Sequence, residues 1–108
     1  MPEVDAVDAQ SGAGDHILLD VRELDEWAAG HAPGARWIPL GELERARVEI
    51  PFNKRVVAIC RSGQRSARAA EALIEWGFDA ANMVGGMRAW AAAGLPVVRD
   101  DESAGEVI

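Results

Sequence analysis

The chain has 108 residues, enough for one domain and short for two, and its 49% hydrophobic and 27% charged composition is that of a globular protein rather than a disordered, collagenous or coiled-coil one. A net charge of −7 argues against a sequence-independent grip on nucleic acid or on an anionic membrane. One cysteine excludes an internal disulfide, and with only two scattered histidines beside it no metal centre is expected, which leaves Cys60 as buried filler or as a reactive thiol.

Residues 1–14 are acidic and rich in small side chains, with neither a basic nor an apolar leader region, and no stretch reaches transmembrane length. A cytoplasmic location, where a lone thiol stays reduced, is the expectation. Residues 1–14 read as a short segment ahead of a domain spanning 15–99, and residues 100–108, with Asp100, Asp101, Glu102 and Glu106, as an acidic mobile tail.

Ile17-Leu18-Leu19-Asp20-Val21 is a short apolar run suited to a strand buried on both faces. Glu23 to Ala29 carries Leu24, Trp27 and Ala28 at helical spacing, with Gly30 placed as a C-terminal cap. Residues 31–35 form a turn, and Trp37-Ile38-Pro39, marked by its proline, an edge strand. Leu40 to Glu49 is predicted as a helix with Leu43 and Ala46 inward.

Residues 55–60 are a second buried strand ending in Cys60. The loop Arg61-Ser62-Gly63-Gln64 leads to a helix over Ser66 to Trp76, stopped by Gly77. Ala81 to Val84 reads as a last strand, and Gly85-Gly86 turns the chain into a helix over Met87 to Ala93. Strands alternating with helices predict an α/β fold, a mostly parallel sheet covered on both faces by helices in three layers.

Chemistry concentrates in Cys60-Arg61-Ser62-Gly63-Gln64-Arg65-Ser66. The crevice beyond the carboxyl ends of parallel strands is where ligands bind. The following helix points free amides and its positive dipole end at the loop, and Arg61 and Arg65 add charge. In such surroundings a thiol pKa of about 8.5 falls to roughly 3.5–7.5, which gives a thiolate nucleophile at neutral pH. Gly63 lets the loop amides turn inward as an anion nest, and Ser66 is placed to cap the helix or to bond the anion. The alternative is a core cysteine, but a core strand gains nothing from two arginines and a glycine around its terminal thiol.

The chain resembles the rhodanese-like sulfurtransferases over Asp15 to about Val98. Leu18 to Glu23 is similar to the family's opening strand, Gly30 to Ala35 with Ile38-Pro39 to its second signature, Cys60 to Ser66 to its active-site loop, and Gly85 to Trp90 with Gly94 to Val97 to its C-terminal signature. The resemblance implies a rhodanese-like three-layer fold. It further implies that Cys60 is the catalytic residue, carries sulfane sulfur as a persulfide within the substrate-binding loop of Arg61, Ser62, Gly63, Gln64 and Arg65, and needs no cofactor or metal.

Thiosulfate or a persulfide is the implied donor, a small anion, and cyanide, a thiol or a partner protein the acceptor. Arg61 is then expected to attract the donor and Arg65, nearer the helix, to brace the loop. Asp20 resembles an acid that positions the loop; with Arg22 it could equally form a buried ion pair, and both stand with Ser66 as supporting residues. His31 is expected to stabilise its turn, His16 to be solvated, and Trp27, Trp37, Trp76 and Trp90 to anchor helix faces and core.

The four residues between Cys60 and Arg65 match the shorter sulfur-transfer loop of this fold; the related phosphatases and arsenate reductases have one more. Ala32, Trp37 and Ile59 depart from the family's usual residues and bear on pocket shape. A non-enzymatic interaction module and, behind it, a phosphatase or arsenate reductase are the competing functions, and monomer and homodimer both fit. Residues 51–99 hold seven bases and three acids, so the positive charge of an acidic molecule gathers in the half that carries Cys60.

Overall fold

The computed structural model describes residues 1–12 and 14–108. Apolar runs with β-branched residues form the central strands β2 (His16–Asp20) and β4 (Arg55–Ile59), which pair in parallel along their whole length. β5 (Ala80–Met83) lies on the other side of β4. The two-residue strands β1 (Glu3–Val4) and β3 (Arg36–Trp37) form the edges, giving the order β1-β5-β4-β2-β3 with every pairing parallel.

Strand alternation sorts the core into two layers. Val56, Ala58 and Cys60 face α4 (Gln64–Glu75) and pack with Ala69, Ala70 and Leu73. Val57 and Ile59 point the other way, toward α1 (Ala6–Ser11) and α5 (Gly86–Ala92), and join Ala6, Ala9, Met87 and Trp90. This parity, set by the sequence of β4, delivers the cysteine to the N-terminal end of α4. The α/β fold with a parallel sheet between helical layers is the one expected.

The ends differ from the sequence expectation. Ahead of residue 15, β1 extends the sheet, Asp5 caps α1 by accepting the Asp8 N–H at 2.8 Å, and Ala6 and Ala9 are buried. The acidic tail likewise folds back. The Gly105 N–H donates to the Val97 carbonyl and the Glu106 N–H to the Ala29 carbonyl, both at 2.9 Å, and Val107 packs on the second core layer. Its charges face water while its backbone and one valine are held, a division that composition alone does not reveal.

Gly30 serves this same contact. It ends α2 (Leu24–Ala29) in extended backbone, not a left-handed cap, and a Cβ there would stand 2.6 Å from the Glu106 nitrogen. Between Pro39 and Pro51, the helix predicted over 40–49 is instead one α turn, α3 (Leu43–Ala46), flanked by 3-10 turns over Leu40–Glu42 and Arg47–Glu49. Leu43 is buried as expected, whereas Ala46 is only half-buried and Val48 stands in solvent, so no continuous apolar stripe rewards a longer helix.

Candidate active site

β4 stops at Ile59, and Cys60 follows with only 1% of its surface exposed. The chain then turns through Gly63, whose φ of 104° lies in the left-handed region and which begins α4. This turn brings the Gly63 N–H to 3.1 Å from the Cys60 Sγ, with the Ser66 hydroxyl at 3.2 Å. Ser66 lies inside the first turn of α4, not at its cap, so its side chain points back along the axis at the sulfur.

The back of the loop is fixed by α5. The Met87 N–H donates to the Cys60 carbonyl at 2.8 Å and the Arg88 N–H to the Arg61 carbonyl at 3.0 Å. Gly86 permits this approach: a Cβ on it would lie 2.4 Å from the Cys60 oxygen and 2.5 Å from that of Arg61. With two carbonyls held behind, the amides of the turn are left to the sulfur.

Burial of Cys60 opposes ionisation, yet hydrogen bonds from the Ser66 hydroxyl and from the amides of Ser66, Gly63 and Ser62 outweigh it and hold the thiol below its ordinary value. The donors that favour the thiolate most are neutral groups of the loop and helix start, the amides anticipated from sequence together with the Ser66 hydroxyl, and Arg65 adds a through-space attraction. Arg65 binds Glu26 of α2 through both guanidinium nitrogens, at 2.7 and 2.8 Å. The pairing lowers the Glu26 carboxyl and raises Arg65 further above its already high value. Arg65 thus braces the loop, while Arg61, Ser62 and Gln64 are exposed at its rim, and Arg61 makes no ion pair among the described residues.

Asp20 and Arg22 form the fully buried ion pair, Nη2 to Oδ2 at 2.7 Å and Nε to Oδ1 at 2.9 Å. Arg22 also donates to the Gly30 carbonyl at 2.8 Å, which ties the end of β2 to the end of α2. Among the described residues neither side chain hydrogen-bonds the Cys60 loop, so any influence on it passes through β2, whose Val21 N–H bonds the Ile59 carbonyl. His31 donates from Nδ1 to the Trp27 carbonyl at 2.9 Å and stacks on the Trp27 ring, holding its turn. His16 is half-buried beside Gly12, less solvated than expected. Trp90 is a core anchor, and Trp27, Trp37 and Trp76 are half-buried.

Two contributors escaped the sequence reading. Glu26 is one; Asn82 of β5 is the other. Asn82 is 4% exposed, accepts from the Ser66 hydroxyl at 2.5 Å and donates to the Gly63 carbonyl at 3.1 Å. A lone amide in an otherwise apolar strand was the available signal. Among the described residues no group of three metal-ligating side chains occurs, and no helix is long and apolar enough to cross a membrane.

Comparison with known proteins agrees with this geometry. Residues 3–93 match the rhodanese-like domain family. A protein of Allochromatium vinosum named sulfurtransferase is 40% identical over 85 residues, covering 78% of this chain and 79% of that one. Bacillus subtilis YrkF, provisionally named a sulfur carrier, is 45% identical over 74 residues, which are 68% of this chain but only 40% of that longer protein. The crystal structure of a rhodanese-related protein from Thermoplasma volcanium superposes with a TM-score of 0.87 at 32% identity, covering 91% of this chain and 98% of the other. From the match over most of its length, the chain belongs to the rhodanese-like domain family.

Proposed function

We propose that the protein is a sulfurtransferase in which Cys60 carries sulfane sulfur as a persulfide. The observation that supports this most is the Cys60 sulfur itself, buried at a strand end and faced by the Gly63 amide and the Ser66 hydroxyl, which favour its anionic form. The thiolate attacks the outer sulfur of a small anionic donor such as thiosulfate. The donor's sulfur–sulfur bond breaks, sulfite leaves with the electron pair, and Cys60 holds the transferred sulfur as an anionic persulfide. A thiophilic acceptor, cyanide or a thiolate, then attacks that terminal sulfur and leaves with it, which restores the Cys60 thiolate without net oxidation or reduction.

Arg61, exposed at the loop rim and free of ion pairs among the described residues, draws the anionic donor in. Ser62 and Gln64 line the same rim, and Arg65 holds the loop to α2. The chain has no second cysteine to resolve the persulfide, so sulfur leaves to an external acceptor and the kinetics are ping-pong. Incubation with thiosulfate followed by intact-mass measurement tests this. A gain of one sulfur atom, reversed by cyanide and missing in Cys60→Ser, is expected. No adduct with thiosulfate or any persulfide donor, in a folded protein, overturns it and leaves a binding module of the same fold.

A further inference from the structure

The Ser66 hydroxyl has one hydrogen and two acceptors within reach: the Cys60 Sγ at 3.2 Å and the Asn82 Oδ1 at 2.5 Å. Both acceptors are buried with it. The orientation of the Asn82 amide follows from its other partner, because the Gly63 carbonyl can only accept and so faces Nδ2 at 3.1 Å, leaving Oδ1 toward Ser66. Ser66 can therefore donate to the sulfur or to Asn82, but not fully to both.

A sulfur-carrying cysteine needs that choice. As a thiolate, the Cys60 sulfur bears the charge and calls for the hydrogen. Once it holds a second sulfur, the charge sits on the outer atom and the inner one becomes a neutral, weak acceptor. A buried hydroxyl without another acceptor would then lose its bond.

We propose that Asn82 is a positioning residue that supplies the second resting place for the Ser66 hydrogen, so that the hydroxyl turns toward Cys60 when its sulfur is charged and toward Asn82 when it is neutral. The switch is a rotation about one C–O bond and breaks no covalent bond. Its use in sulfur transfer rests on the function proposed above; the competition between Asn82 and Cys60 for one hydrogen does not. In the unmodified protein, Asn82 withdraws part of the donation that favours the thiolate, while its bond to Gly63 keeps the turn in place.

Because Cys60 is the only cysteine, the pH dependence of its alkylation by iodoacetamide reads its ionisation alone. Four proteins form the test: wild type, Asn82→Leu, Ser66→Ala and the double variant. Ser66→Ala raises the midpoint by about one pH unit, the size of one hydrogen bond to a charged sulfur. Asn82→Leu shifts the midpoint downward relative to its effect in the Ser66→Ala background, because only with Ser66 present does removing Oδ1 release a hydrogen to the sulfur.

The double variant separates this from the Gly63 brace, which is lost equally in both backgrounds. A shift that is the same in the two backgrounds, or more upward when Ser66 is present, overturns the proposal. If Asn82→Leu does not fold by circular dichroism, Asn82→Ala in the same two backgrounds gives the same comparison. Thiosulfate loading measured by mass on wild type reports separately on the proposed function, since alkylation requires no sulfur donor.

Discussion

Arg65 and Glu26 meet through two parallel hydrogen bonds of 2.7 and 2.8 Å, which commits one of the two arginines of the Cys60 loop to joining α4 to α2. Glu26 receives the Glu23 N–H as well, at 3.0 Å, so one carboxylate serves the start of its own helix and the loop of another. The two arginines therefore have different work despite lying on either side of the same turn.

Glu26→Gln keeps the shape and removes the charge, with an expected loss of about 1 kcal/mol by urea denaturation at neutral pH. Arg65 lowers the Glu26 carboxyl below its ordinary 4.5 in the folded protein, so folding is favoured fully above that value and the contribution is lost as pH falls through the lower folded one. Wild type and Glu26→Gln accordingly converge in stability on acidification below about pH 4.5. A constant gap down to the acid limit contradicts this role.

Cys60 ionises below the ordinary thiol value of 9.0. A folded value below the unfolded one adds stability as pH rises through the folded value, and this contribution is complete above 9.0. The stability of wild type relative to Cys60→Ser thus increases as pH rises toward 9.0, and thermal unfolding over that range measures it.

Gly63→Ala and Gly86→Ala fail for different reasons. At Gly63, a φ of 104° carries a strain of about 1–3 kcal/mol for a non-glycine residue, with the nearest atom, the Gly85 nitrogen, at 3.3 Å. At Gly86 the left-handed backbone is joined by a Cβ 2.4 Å from the Cys60 carbonyl oxygen, backbone that cannot yield without moving the loop. Gly86→Ala is expected to lower the melting temperature more than Gly63→Ala and to raise the Cys60 alkylation midpoint by displacing the loop amides.

Arg22→Met leaves Asp20 charged and unpaired in the core, at a cost of about 3–5 kcal/mol. Removing both charges, as Asp20→Asn with Arg22→Met, recovers part of that loss. Denaturation of the single and double variants checks the order, and a double variant as unstable as the sum of its parts shows that the two side chains do not act as a pair.

The Cys60 loop was legible because every part of it is local: strand, thiol, glycine and helix follow one another within Arg55 to Glu75, and period-2 alternation fixes which face the thiol takes. What escaped was long-range. Glu26 and Arg65 come from helices separated by β3 and β4, and Asn82 and Ser66 from different elements, so no spacing rule joins them. The arginines were legible as charge but not as geometry, since only the fold shows that Arg65 meets a carboxylate. Asp20 and Arg22 stood as an ion pair or a loop support, and side-chain reach over two positions made the pair. The tail's packing was not legible because two glycines, Gly30 and Gly105, close a contact that no charge pattern announces; a Cβ on Gly105 would stand 2.7 Å from the Gly30 Cα.

The strand order also sets how much chain each strand pairing must close. β2 and β4 can pair once the chain as far as Ile59 is available, and α4 then completes the turn under the sulfur from its own neighbouring residues. β5 comes later in sequence. Its outer edge closes only when the distant β1 returns to it, with the Asn82 N–H donating to the Pro2 carbonyl at 3.0 Å and Glu3 opposite Asn82. Such a contact closes a loop of about 80 residues, the longest of the strand pairings and the one with the largest loop-closure cost. Asn82 thus stands between Ala58 of β4 on one side and Glu3 of β1 on the other, so the amide that Ser66 and Gly63 share is held both by the strand that carries the sulfur and by one that reaches back from the far end of the sheet.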